Sequence, residues 1–216
     1  MDFARARHLM VETQVRPNDV TDPALLASLR RVPREAFVPE ALKTLAYSEA
    51  EIEAAPGRRL MRLRDLGKLL AAAAPQPGER ALEIGGVTGY GAAVLAAVTG
   101  RAVALEHDPA LSALARAALA RAGADAATVA TGPLAAGWPA AAPYDVIVLH
   151  GACEIVPAGW LEQLAEGGRL AAIVRQGAAS SARLYVKSGG TAAYRVVFDA
   201  AAPLAPGLAA APTFTF

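Results

Sequence analysis

The run Leu82-Glu83-Ile84-Gly85-Gly86-Val87-Thr88-Gly89-Tyr90 passes from an apolar strand through glycines toward a helix. Arg80 to Ile84 has the short apolar pattern of a buried strand, and Gly91 to Val98 reads as a helix. Glycine between them permits a tight bend and lets a ligand approach bare backbone. Arg101 to Glu106 reads as the next strand. Its terminal carboxylate follows the turn by about 20 residues, the spacing at which an acid accepts hydrogen bonds from ribose hydroxyls. Both features then meet at the carboxyl ends of adjacent strands, where open α/β sheets bind ligands.

The glycines stand at 85, 86, 89 and 91, and position 87 is valine. A dinucleotide turn wants G-x-G-x-x-G, and a P-loop wants a lysine after its glycines; neither is present. Glu83 heads an acid-x-Gly-x-x-x-Gly pattern that suits a cofactor without phosphates. Its charge repels a pyrophosphate but can hold the ammonium of S-adenosylmethionine (AdoMet), directly or through water. The plainer reading is a turn that only joins strand to helix.

Outward from the turn, helices and strands alternate. Leu63 to Ala74 reads as a helix ended by Pro75 and Pro77-Gly78. Downstream come a helix over Pro109 to Arg121 and strands over Thr128 to Thr131 and Tyr144 to Leu149. A helix over Trp160 to Ala165 follows, then Gly167-Gly168 turning into a strand over Arg169 to Val174. Arg183 to Lys187, Ser188-Gly189-Gly190 and Ala192 to Phe198 read as a hairpin. The alternation implies a doubly wound, mostly parallel sheet with an antiparallel hairpin at its edge. Upstream, residues 1–48 read as helical, with Thr21 or Asp22 capping a helix that opens on Pro23. Residues 49–60 read as irregular around Pro56-Gly57. Two domains are expected: a cap with a substrate-side loop over 1–62, and a cofactor domain over 63–216.

Length fits this plan, since 216 residues bury one full α/β core. Hydrophobic residues make up 54%, but alanine runs supply much of that figure without bulk. No stretch approaches the roughly 18 to 20 apolar residues of a membrane span. The first residues lack the apolar core of a signal peptide, so a cytoplasmic protein is expected. A net charge of +1 gives no sign of a nucleic-acid partner. The lone Cys153 supports neither a disulfide framework nor a multi-cysteine metal site, and no metal is expected.

Against this background the chain resembles the protein-L-isoaspartate O-methyltransferases, AdoMet-dependent enzymes that methylate damaged aspartyl residues. The resemblance runs in order along nearly the whole chain. It begins with Arg31-Val32-Pro33-Arg34-Glu35-Ala36-Phe37-Val38-Pro39 and Ala46-Tyr47. It continues through Leu82 to Tyr90 with Ala92-Ala93-Val94-Leu95-Ala96, then Leu105-Glu106 with Leu111. It ends with Tyr144-Asp145-Val146-Ile147, Leu161-Glu162-Gln163-Leu164 and Gly167-Gly168-Arg169-Leu170. It implies a Rossmann-like AdoMet-dependent methyltransferase fold with a helical cap, AdoMet as cofactor and S-adenosylhomocysteine as product. It also implies a protein carboxylate as acceptor. Three stretches depart from the family pattern. The family's Gly-Gln-Thr-Ile-Ser-Gln-Pro is here Gly57-Arg58-Arg59-Leu60-Met61-Arg62-Leu63, which replaces the hydroxyls with Arg59 and Met61. The family's Gly-Asp-Gly is Gly132-Pro133-Leu134, and its Thr-Ala-Ala is His150-Gly151-Ala152.

The expected cofactor-binding residues are Glu83, Gly85, Gly86, Val87, Gly89, Glu106, His107, Gly132 and Pro133. His150, at the carboxyl end of a strand, is a candidate general base, or else a buried histidine satisfied by backbone. Arg59 is a candidate on the acceptor side. It belongs to a cationic run with Arg58, Arg62, Arg64 and Lys68, opposed only by Asp65. That run suits a protein or small acidic acceptor, or is simply solvated. The leading function is methyl transfer to a carboxylate, with isoaspartyl repair put in question by Arg59 and Met61. The alternatives are a non-catalytic relative that binds cofactor or partner, and a methyltransferase for a different small acidic acceptor.

Overall fold

The computed structural model describes residues 1–210. Helix α1 (Phe3–Met10) runs on through a π-helical stretch, Val11–Val15, and a 3₁₀ turn, Arg16–Asn18. Helix α2 (Pro23–Arg31) starts where capping chemistry places it: Asp22 accepts from Leu25 N at 2.7 Å and Pro23 opens the first turn. Two 3₁₀ segments follow, Arg34–Phe37 and Glu40–Leu45.

Residues 49–60 depart from expectation. They form an antiparallel hairpin, β1 (Ile52–Ala55) and β2 (Arg58–Leu60), with Ile52 opposite Leu60 and Glu53 opposite Arg59. Ile52, Ala54 and Leu60 turn inward while charged residues lie between them, so the period-two signal rests on too few apolar positions to read. Pro56-Gly57 makes the turn, with Gly57 at φ 69°.

The remaining elements are α3 (Leu63–Ala73), β3 (Ala81–Ile84), α4 (Tyr90–Thr99), β4 (Ala102–Glu106), α5 (Pro109–Ala122) and β5 (Ala127–Thr131). After them come β6 (Tyr144–Cys153), α6 (Ala158–Glu162), β7 (Leu164–Gln176), β8 (Ala179–Ser188) and β9 (Thr191–Asp199). Several boundaries moved. Helix α6 spans Ala158–Glu162 rather than Trp160 to Ala165, and β8 begins at Ala179 rather than Arg183. Strand β6 runs past Leu149 to Cys153, and β7 begins at Leu164, before the glycine pair rather than after it. Gly168 explains the early start of β7. A Cβ there would lie 2.8 Å from the carbonyl oxygens of both Tyr144 and Ala165, so the glycines make an irregularity inside the strand pairing.

The seven-stranded sheet has the order β5-β4-β3-β6-β7-β8-β9. The first five strands are parallel, and β8 and β9 close the edge as an antiparallel meander. Alternate residues of each central strand serve two cores. Val146 and Val148 join α3, α4 and the N-terminal helices on one face. Ile147 and Leu149 join Leu134, Trp160 and Leu164 on the other. Residues 1–62 share the first core with the sheet rather than forming one of their own. Strand order reverses at β3, so the carboxyl ends of β3, β4 and β6 meet at a topological switch point. Among the described residues, no helix is long and apolar enough to cross a membrane.

Candidate functional site

At that switch point the glycine turn leaves β3 beside the end of β4. Val87 takes φ 59°, a conformation that a β-branched residue rarely adopts and a glycine would take freely. This aims Val87 N at Glu106, the last residue of β4, whose Oε1 accepts at 2.7 Å. Oε2 accepts from His107 N at 3.1 Å. The Glu106 side chain is 1% exposed. Arg58, from the hairpin, covers both of its oxygens. Nη2 donates to Oε1 at 2.7 Å and Nη1 to Oε2 at 3.2 Å, while Nη2 also reaches the Gly85 carbonyl at 3.1 Å. His107, exposed at the rim, brings Nδ1 to 3.2 Å from Arg58 Nη1.

Glu83 lies deeper, beneath the turn. Its Oε2 accepts from Ala92 N in the first turn of α4 at 2.8 Å, and its Oε1 lies 3.1 Å from His150 Nδ1. Gly86 and Gly91 make this burial possible. A Cβ at either would fall within 2.2 Å of a Glu83 carboxylate oxygen. The carboxylate read from sequence as facing a cofactor ammonium is thus engaged inside the protein at both oxygens.

His150 carries that arrangement to the segment between β2 and α3. Its Nε2 lies 2.9 Å from Met61 N. An amide N–H can only donate, so Nε2 is the acceptor and Nδ1 holds the proton given to Glu83. Neither ring nitrogen is left for a substrate. Met61 is fixed at three atoms: its carbonyl accepts from Arg34 Nη2 at 2.8 Å, and its sulfur accepts from Gly151 N at 3.3 Å. Arg34 is fully buried over the Tyr90 ring, 5.1 Å from its centroid, and burial pushes its guanidinium down to about 10. The rest of the Val32–Pro39 signature docks the cap on the turn. Arg7 holds Glu35 at 2.9 Å and Tyr47 at 2.8 Å, Tyr47 donates to Glu35, and Thr88 donates to the Phe37 carbonyl at 2.8 Å.

The other expected residues line the cleft or stand outside it. Gly132 N bonds the Glu106 carbonyl at 2.9 Å, Pro133 is exposed, and Leu134 packs toward Gly85. Arg59 is half exposed, 3.8 Å from Glu53 and 4.0 Å from Glu51, and lines the same small cleft as His150 without a hydrogen bond to it. Sequence reading missed residues 203–205, which cross the end of β6 through Ala152 N to Pro203 O and Ala205 N to Ala152 O, both 2.9 Å. It also gave Arg58 no partner, because nothing local pairs residues 48 positions apart. What remains open among Arg58, Met61, Gly85, Val87, His150 and Leu204 is about 20 Å³, room for one water.

The protein-L-isoaspartate(D-aspartate) O-methyltransferase profile (PCMT) matches residues 5–200. This chain belongs to that family. The protein-L-isoaspartate O-methyltransferase 1 of Rhodopseudomonas palustris (strain HaA2) is 40% identical over 185 residues, 86% of this chain and 75% of that one. The protein-L-isoaspartate O-methyltransferase of Methylorubrum populi is 43% identical over 169 residues, 78% of each chain. A solved Plasmodium falciparum protein described as a protein-L-isoaspartate O-methyltransferase, in complex with S-adenosyl-L-homocysteine, superposes with a TM-score of 0.81. It covers 92% of this chain and 97% of its own at 15% identity, a likeness of fold. Within the isoaspartate methyltransferase family, then, this chain is one whose segment between β2 and α3 is held by buried contacts at Met61.

Proposed function

We propose that this protein is an AdoMet-dependent O-methyltransferase acting on a carboxylate of a protein or peptide. The observation that carries the reading is Glu106: a buried carboxylate at the end of the second parallel strand, beside a glycine turn, in a chain that matches the family from residue 5 to 200. Bound AdoMet supplies a methyl group on a sulfonium, so the protein's task is to place the acceptor rather than activate it.

The cleft suits that cofactor in chemistry. Glu106 would take the ribose hydroxyls, Gly85 would bring bare backbone to the ligand on its Arg58 side, and His107, Gly132, Pro133 and Leu134 would flank the adenine. It suits the cofactor in volume only when Arg58 withdraws, because sites for ligands of this size run to about 300 Å³ or more. A carboxylate acceptor needs no general base. That agrees with His150, whose nitrogens serve Met61 and Glu83.

The choice between an isoaspartyl carboxylate and another acidic acceptor turns on Met61. Its side chain has no hydrogen to donate, and its sulfur is already bound to Gly151. Two measurements test the reading. Calorimetry with S-adenosylhomocysteine should give a saturable isotherm, weakened by about 1 to 3 kcal/mol in Glu106→Ala; unchanged affinity would mean the site lies elsewhere. Radiolabel transfer from AdoMet to an isoaspartyl peptide then tests the acceptor. Label on other carboxylates alone would indicate a different acceptor, and binding without transfer would indicate a non-catalytic relative.

A further inference from the structure

The carboxylate of Glu106 has two kinds of partner. Val87 N and His107 N belong to the backbone beside it and stay whatever enters the cleft. The two bonds from Arg58 come from the end of a long side chain on a two-stranded hairpin. One guanidinium thus presents two donors to the two oxygens, as a pair of ribose hydroxyls would. Arg58 also fills the volume such a ribose needs, leaving about 20 Å³. Among the described residues, Arg58 supplies the only countercharge bonded to both oxygens of this buried carboxylate, and losing it is costly even with the two backbone donors in place, so Arg58 is held until other donors arrive. It also has a way out: its side chain is 13% exposed, and Gly57 beside it has open space around its backbone.

We infer that Arg58 is an exchangeable occupant of the ribose position: it caps Glu106 in the cofactor-free protein, yields that place to AdoMet, and then faces the acceptor at the same mouth. The inference rests on the AdoMet reading above. Two consequences follow for this chain's own residues. The apparent cofactor affinity is reduced by the fraction of molecules in which Arg58 is already displaced. The released guanidinium becomes available for a carboxylate bidentately, beside the wall that Met61 and Leu204 form. Cofactor and acidic acceptor therefore bind in sequence, with Arg58 passing from one to the other.

The test compares wild type with Arg58→Ala by calorimetry against S-adenosylhomocysteine. Arg58→Lys keeps the charge without the fork and should fall between them; Arg58→Gln replaces the alanine variant if that does not fold. Removing Arg58 should tighten S-adenosylhomocysteine about tenfold or more. In wild type, saturating S-adenosylhomocysteine should strengthen binding of an isoaspartyl peptide, and Arg58→Ala should abolish that enhancement. Equal or weaker S-adenosylhomocysteine binding by Arg58→Ala overturns the exchange while leaving the cofactor reading intact. Tighter binding with peptide enhancement unchanged, or with no peptide binding by wild type, overturns the acceptor role. If no variant binds S-adenosylhomocysteine, the cofactor reading fails and takes this inference with it.

Discussion

His150 Nδ1 lies 3.1 Å from Glu83 Oε1 with neither side chain more than 1% exposed, and through this contact β6 is tied to β3 beneath the cleft. The same imidazole receives Met61 N, so His150 joins β3 to the segment between β2 and α3, and Glu83 in turn holds Ala92 N at the start of α4. His150→Ala would leave Met61 N and half of a buried carboxylate unsatisfied. It should cost about 3 to 5 kcal/mol in urea denaturation, in the range for breaking a buried polar pair. His150→Gln, whose amide can both donate and accept, should recover part of this. A loss below about 0.5 kcal/mol for the alanine variant, the size of an ordinary surface change, would show that the pair is not structural.

Gly91→Ala probes the same carboxylate from the helix side. Its new Cβ would fall 2.1 Å from Glu83 Oε1. Glu83 is the flexible partner, but it is fully buried and bound at Ala92 N, with no solvent to move into. Overpacking of this kind typically costs about 1 to 3 kcal/mol. The diagnostic result is a double-mutant cycle: adding Glu83→Ala to Gly91→Ala removes the clash, so the pair should lose less than the sum of the two single losses. Strict additivity would mean that the glycine serves some other purpose.

These contacts mark what was legible in the sequence. The strand–glycine–helix unit, the parallel sheet and the hairpin at its edge were readable because their signals are local. Val146 and Val148 alternate with Ile147 and Leu149 between two cores, and α5 opens on Pro109, the residue from which its helix was read. The hairpin at 52–60 was hidden because so few of its positions are apolar. The site was legible as a place but not as a set of pairings. Glu83 and His150 are 67 residues apart, and Arg58 and Glu106 are 48 apart. Which charged side chain satisfies which depends on tertiary geometry that no local pattern encodes. The family signature shows the same limit: Arg34, Glu35 and Phe37 stand out as a motif, but their partners Met61, Arg7 and Thr88 emerge only in the fold.

Cys153 gives a prediction that needs no ligand. It ends β6, is 0% exposed, and burial pushes its thiol up to about 12. In the unfolded chain the thiol titrates near its ordinary value of about 8.5. The folded state therefore favours the protonated form, and this contribution is complete below pH of about 8.5. Above that, the unfolded chain gains stability by ionising while the folded thiol does not. Stability should then fall by up to about 1.4 kcal/mol per pH unit until the folded thiol titrates. Subtracting the urea-derived stability of Cys153→Ala at each pH from 7.5 to 9.5 isolates the thiol from the tyrosines, since Tyr90 and Tyr144 are likewise pushed up to about 12. The same burial makes alkylation a reporter of unfolding. Iodoacetamide at pH 8 should leave native Cys153 unmodified by mass spectrometry and label it fully in urea. Native labelling at the denatured rate, or a difference curve flat in pH, would place the thiol in contact with solvent and refute its position in the core.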